Sequence, residues 1–226
     1  MRYITSMMKN DPISLIIEKM KKSDEHEEWW EDYTPFQNLM GIIISQRTNM
    51  RNGLNAFRGL LSKFKTLEDI NDAEVSEIEQ VIKCAGMAKA KAQTMKNVAR
   101  YITEMYGGDL SKMLHKNYND IRNELLEIKG IGCKTADVFL MVAVDAKVVP
   151  IDTHIHRILM RLGFIRNNAS YEDARSILEK KIPPDERKIA HILLIKFGRE
   201  ICRATKPFCQ ICPVPRYCSY YKSVIK

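Results

Sequence analysis

Apolar residues recur mostly at helical spacing along this chain. Ile13, Ile16, Ile17 and Met20 share one stripe within residues 12–22, and Phe36, Leu39, Met40 and Ile43 share another within 35–46. The same period returns at about residues 50–64, 74–84, 88–106, 118–127, 134–145, 153–162, 171–181 and 186–198, joined by short polar or glycine-containing links. No convincing run alternates apolar and polar positions as a strand would. The pattern predicts an all-α chain of roughly ten helices followed by a short tail. No Pro/Gly/Ser linker divides it and no repeat of fixed period runs through it; soft boundaries fall near Asp24–Asp32 and near Lys147–Asp152. The acidic stretch Glu25–Glu31, which carries Trp29 and Trp30, reads as a solvated helix face with two buried rings rather than a binding site.

Composition narrows the class. With 226 residues, 45% of them hydrophobic, the chain can bury one sizeable core or two small ones, which excludes disorder as its dominant state. Its longest apolar candidates, Leu39–Ile44 and Val138–Val144, fall far short of the roughly 18 residues a spanning helix needs, so a soluble protein with no membrane partner is expected. The start, Met1-Arg2-Tyr3-Ile4-Thr5, leads into Lys9, Asp11 and Pro12 without the features of a signal peptide, which predicts an intracellular product with reduced thiols. The net charge is +8, unevenly placed: residues 1–33 carry −3 and residues 34–226 carry +11. Such an excess suits a polyanion, although charge alone leaves nucleic acid and a merely solvated surface as equal readings.

Four of the six cysteines, Cys202, Cys209, Cys212 and Cys218, lie in the last 25 residues. A long chain that is cysteine-dense only at its tail fits a disulfide scaffold poorly and metal or cluster ligation better. The spacing is C-x6-C-x2-C-x5-C, with no histidine after His191. Four thiolates without an imidazole permit tetrahedral zinc or a [4Fe–4S] cluster, and spacing alone leaves the two nearly balanced. Cys84 and Cys133 are expected to be buried free thiols.

Residues 125–136 read Leu-Leu-Glu-Ile-Lys-Gly-Ile-Gly-Cys-Lys-Thr-Ala: an amphipathic helix ends, Gly130-Ile131-Gly132 turns the chain, and an apolar helix starts at about Cys133 or Lys134. Two glycines permit a tight turn while Ile131 anchors it in the core, and the amides of the new helix can hold a phosphate, with Lys129 adding charge. Lys134 falls in the first turn, where the helix dipole and apolar neighbours such as Ile131, Ala136 and Val138 favour a neutral amine while a nearby phosphate favours a charged one. On these residues alone it reads as a phosphate contact first and a nucleophile second. Asp152 precedes Thr153 and the periodic run Ile155, Ile158, Leu159 and Leu162, so either Asp152 or Thr153 reads as a helix cap.

Residues 125–136, followed by Val149-Pro150-Ile151-Asp152-Thr153-His154-Ile155-His156-Arg157, closely resemble the helix-hairpin-helix and aspartate loop of the endonuclease III family of DNA glycosylases. Pro35-Phe36, Ile44-Ser45-Gln46-Arg47-Thr48, the stretch from Ile82 to Ala92 and the terminal cysteines sit in that family's order, so the resemblance covers about residues 30–220. It implies a two-lobed all-α fold: a helical barrel over 28–146, with the helix-hairpin-helix at about 121–145, and a second helical domain of 1–27 and 147–226 with a [4Fe–4S] cluster loop at 202–218. It implies that Lys134 attacks the sugar C1′ and forms a Schiff base, while Asp152 helps deprotonate the amine and stabilises the oxocarbenium charge, the two facing each other across a DNA cleft.

The same resemblance assigns Gln46 and Arg47 to a loop that fills the gap left by a flipped base, Met87 to a wedge against the opposite strand, and Lys129, Gly130, Ile131 and Gly132 to a phosphate turn. Cys202, Cys209, Cys212 and Cys218 would ligate the cluster, and Arg203 and Lys206 would meet phosphates from the loop it shapes. The implied protein is a monomer that binds double-stranded DNA with damaged bases or abasic sites, excises oxidised pyrimidines and cuts the strand. The rival readings are a mismatch-directed uracil/thymine glycosylase on the same fold, disfavoured by Lys134, and a non-catalytic helix-hairpin-helix DNA-binding module.

Overall fold

A computed structural model describes residues 11–22 and 33–224. The acidic stretch with Trp29 and Trp30 lies outside the described residues, as do most of the positions around the first soft boundary. The chain splits into two compact units, Met1–Glu27 with Lys147–Lys226, and Glu28–Ala146. Among the described residues there is no strand, and no helix is long and apolar enough to cross a membrane.

Thirteen α-helices are present among the described residues: α1 Pro12–Lys21, α2 Pro35–Ser45, α3 Met50–Lys63, α4 Leu67–Asp72, α5 Val75–Val81, α6 Ala88–Tyr106, α7 Leu110–Leu114, α8 Tyr118–Glu127, α9 Cys133–Ala143, α10 Thr153–Leu162, α11 Tyr171–Lys181, α12 Arg187–Glu200 and α13 Ser219–Val224. That exceeds the expected ten, because α4, α7 and α13 are only five or six residues long and give no readable period. The helix expected over 74–84 also divides. Ile82 leaves α5 at φ −97°, ψ 13°, and a 3-10 turn, Lys83–Ala85, follows.

In the unit Glu28–Ala146, α2 is the axis of the core. Leu39 through Ile44 are all buried, the expected state of a helix that is apolar on every side. It packs on α3, α6, α7 and α9. Gly41 sets its closest approach to α3, since a Cβ there would stand 3.3 Å from the Phe57 ring. Thr34 and Gln37 start α2 with reciprocal capping bonds. α9 is the second apolar helix, burying Ala136, Phe139, Leu140 and Met141.

In the other unit, α12 packs on α1 and α10, and α10 also meets α13. α1 presses Ile13, Ile16, Ile17 and Met20 into a core shared with Leu193, Leu194 and Phe197. Asp11 ties this early segment to a distant one: its carboxylate caps α1 at Ile13 N and accepts from Lys181 Nζ at 2.6 Å. Cys202, Cys212 and Cys218 pack against the edge of the same core.

Candidate active site

The hairpin between α8 and α9 is built from the core outward. Ile128 and Ile131 are buried, and Ile131 N donates to Ile128 O at 3.0 Å. Gly130 has φ 104°, and a Cβ there would lie 2.1 Å from Thr94 Oγ1, so α6 leaves room for no side chain. Asn97, also on α6, donates to Lys129 O at 2.8 Å. A buried pair braces the two helices: Arg122 Nε donates to Asp137 Oδ1 at 2.6 Å, with Asp137 fully buried.

The second glycine differs from expectation. Gly132 is in ordinary extended backbone, φ −107°, and nothing lies within 4 Å of a Cβ built there. The turn requires Gly130; Gly132 instead stands unobstructed as the N-cap residue of α9. The first amides of α9 have no side-chain cap, whereas Asp11, Thr34, Asn49, Thr66, Asp109, Asn117, Asp152 and Ser170 cap α1, α2, α3, α4, α7, α8, α10 and α11. α6, whose N-cap is Met87, and α12 also lack one. Uncapped N-termini with open approach are sites where an anion gains most.

Lys134 is the second residue of α9 and is half-buried. Its neighbour Thr135 is buried and accepts a hydrogen bond from Gln46 Nε2 at 3.0 Å, which places the α2–α3 loop against the start of α9. Arg47, next in that loop, is exposed and left-handed at φ 51°. Met87 is likewise left-handed at φ 51° and is 57% exposed, and exposed Lys206 has φ 50°. Four described non-glycine residues take positive φ, the fourth being Asp145, and three of the four are expected DNA contacts. Each costs about 1–3 kcal/mol and concentrates at positions where function over-determines the backbone.

Asp152 caps α10: its Oδ1 accepts from Ile155 N at 2.8 Å, while Oδ2 receives no hydrogen bond from a described residue. Thr153 is the first helical residue rather than the cap. The loop ahead of it is held by its own unit. Val149 N donates to Glu179 Oε1, Ile151 N donates to the Tyr171 hydroxyl, and His191 Nδ1 lies 2.9 Å from Pro150 O.

Cys202, Cys209, Cys212 and Cys218 line one cavity, together with Phe208, Tyr220 and the guanidinium of Arg161. Arg161, 8% exposed, donates to Arg203 O at 2.6 Å, Ala204 O at 2.9 Å and Cys202 Sγ at 3.3 Å, and stacks 4.4 Å from the Tyr220 ring. Burial pushes the Cys212 thiol up to about 11 and raises Cys209 as well. Binding a metal group here would therefore release protons. The thiols ring the cavity; among the described residues no three Cys, His, Asp or Glu side chains stand close enough to hold one metal ion. Cys84 is exposed on its 3-10 turn and Cys133 is half-buried as the first residue of α9, so neither is the buried thiol that composition suggested.

The model of the HhH-GPD superfamily of base excision DNA repair proteins matches residues 40–184. An endonuclease III from Sulfolobus acidocaldarius is 34% identical over 193 residues, covering 84% of each chain. One from Thermotoga maritima is 31% identical over 188 residues, covering 83% of this chain and 84% of that protein. The chain belongs to the endonuclease III family. A solved covalent endonuclease III–DNA intermediate superposes with a TM-score of 0.83 at 29% identity, covering 97% of this chain and all of that one. A thermostable thymine-DNA glycosylase reaches 0.78 at 25% identity, covering 93% of this chain and 95% of that one.

In this chain, the unit Glu28–Ala146 brings Gln46 to Thr135 at the start of α9 and carries Met87 as the N-cap of α6. Asp152 and the four cysteines belong to the other unit. Sequence reasoning missed Thr135, Lys91 and Arg161. Lys91 had a readable signal: it stands on the apolar stripe of Ala88, Ala92, Met95 and Val98, where a lysine is out of place. Arg161 had none, since its acceptors lie more than forty positions away.

Proposed function

We propose that this protein is a bifunctional DNA glycosylase/AP lyase that acts inside the cell, as a monomer, on duplex DNA bearing oxidised pyrimidines or abasic sites. The observation that carries the reading is a lysine in the first turn of α9, two residues past the unobstructed Gly132 at an uncapped helix N-terminus. Lys134 Nζ, deprotonated with help from Asp152, attacks C1′; the N–C1′ bond forms as the glycosidic bond breaks and the base departs with a proton. Ring opening yields the Schiff base, loss of a C2′ proton expels the 3′ phosphate by β-elimination, and water releases the lysine. Capping α10 through Oδ1 leaves Asp152 a second carboxylate oxygen, so the local role and the proposed chemical one do not compete.

Gln46 and Arg47 fill the space vacated by the flipped nucleotide and Met87 wedges against the opposite strand, on loops already bent into left-handed backbone. Lys129 to Gly132, Arg203 and Lys206 take phosphates. Cys202, Cys209, Cys212 and Cys218 hold a [4Fe–4S] cluster, whose contribution when bound is to fix the shape of the basic loop between the first two ligands. The spacing C-x6-C-x2-C-x5-C, which matches the family's cluster loop with no ligand missing, supports a cluster over zinc.

Borohydride should trap a covalent adduct between the wild type and nicked DNA, and Lys134→Ala should trap none; equal yield from the variant rejects Lys134 as nucleophile. The likeness to a thymine-DNA glycosylase supports a second reading, mismatch-directed excision. Duplexes bearing thymine glycol, dihydrouracil, an abasic site, G·U or G·T separate the two, and failure to nick any of them supports a binding module. One zinc per chain without the broad brown absorbance of iron–sulfur would overturn the cluster.

A further inference from the structure

Lys91 is the most deeply buried lysine among the described residues, at 2% exposure, and the chemistry above does not use it. Its ammonium has three donors and no acceptor, and all three find partners: Ile44 O at 2.8 Å, Ala85 O at 3.0 Å and Thr48 Oγ1. No carboxylate among the described residues pairs with it, and desolvation lowers its pKa from the usual lysine value. Burying an ammonium on neutral acceptors alone is costly, which is why the geometry calls for an explanation beyond packing.

The acceptors come from two separate loops. Ile44 lies in the last turn of α2, at the negative end of its dipole, and Thr48 in the loop that follows. Ala85 ends the 3-10 turn that leads through Gly86 into Met87. Thr48 closes the knot: its hydroxyl oxygen accepts from Lys91 and lies 2.7 Å from Ala85 O and 2.8 Å from Ile44 O, either of which can take its proton. The first loop carries Gln46 and Arg47 and the second carries Met87, and both contain strained left-handed residues.

We infer that Lys91 and Thr48 form a positioning hub that locks the Gln46-Arg47 loop to the Met87 loop, so that plug and wedge enter the duplex as one preset unit. The inference rests on the assignment of those loops to base opening. Lys91 touches neither DNA nor the reacting atoms; it acts through the two backbones it holds. Loss of the hub should impair opening of paired DNA and spare chemistry on a nucleotide that needs no opening.

Two readouts keep these apart: fluorescence of 2-aminopurine placed opposite an abasic site, and borohydride trapping on an abasic site in paired duplex or in a single strand. Lys91→Met and Thr48→Val should lose most of the fluorescence rise and increase KM for the paired duplex by about tenfold to a hundredfold, the scale of small misplacements, while single-strand trapping stays within about twofold of wild type. Thr48→Ser, which keeps the hydroxyl, should restore both. If Lys91→Met does not fold, the Thr48 pair carries the test. Wild-type fluorescence and KM in Lys91→Met and Thr48→Val overturn the hub, as does an equal loss of trapping on both substrates. A wild type that raises fluorescence without trapping on either substrate sinks the Lys134 assignment alone and leaves the hub to be read from fluorescence.

Discussion

The hairpin Lys129–Gly132 and the basic loop Arg203–Lys206 are both assigned to phosphates, yet they are held in different ways. The hairpin is fixed by buried Ile128 and Ile131, by α6 pressed against Gly130, and by the Asn97 bond to Lys129 O. The tail loop is clipped by guanidiniums, Arg161 donating to the carbonyls of Cys202, Arg203 and Ala204 and Arg157 to that of Cys202, and it borders four thiols around a cavity. A core-packed turn exists before any ligand arrives. A loop clipped by side chains at one end depends on what fills the thiol cavity.

The largest effect should come from adding a methyl to the packed turn. Gly130→Ala imposes positive φ on a side chain and drives Cβ into Thr94, so a loss of about 3 kcal/mol in unfolding free energy is expected, with DNA affinity falling alongside. Urea denaturation and DNA titration would measure it, and a stable variant would break the claim that packing presets the hairpin.

Next is the clip. Arg161→Met leaves the carbonyls of Arg203 and Ala204 without their donor, while Cys202 O keeps Arg157 Nε, and should cost about 1–3 kcal/mol. Stripping the metal with a chelator should mimic it locally: amide exchange should rise across residues 202–218 and stay unchanged over 128–136. Equal acceleration in both segments would erase the contrast between them.

Charge removal should be milder. Lys129→Ala and Lys206→Ala should each lower the slope of log affinity against log salt by about 1, and after chelation Lys206→Ala should lose its effect while Lys129→Ala keeps its own. The smallest change in stability belongs to Gly132→Ala, within about 0.5 kcal/mol, because its backbone is ordinary and no atom meets the new methyl. Its DNA affinity should still drop, since the methyl adds bulk at the N-cap of α9, where a phosphate is proposed to approach.

The long helices were legible in the sequence because three or more turns repeat the apolar period; α6 is read over the same residues it occupies. α4, α7 and α13 were not, since five or six residues complete fewer than two turns. The hairpin string marked its turn, but the division of labour between its glycines needed Thr94, thirty-six positions away. Local sequence left Asp152 and Thr153 as alternative caps, and the structure shows Asp152 in that place. Cys84 and Cys133 misled, because the usual burial of a free thiol says nothing about a 3-10 turn facing outward or a first helical residue. Lys91 was visible only as a lysine on an apolar stripe, and the loops it joins are visible only in the fold.

The central claim is that Lys134 is the nucleophile at the mouth of the hairpin. Mass mapping of the borohydride-reduced adduct on an abasic duplex tests it most directly. The account predicts the sugar remnant on the peptide carrying Lys134 and on no other lysine. An adduct on a different residue, or strand cleavage with no adduct, would contradict it.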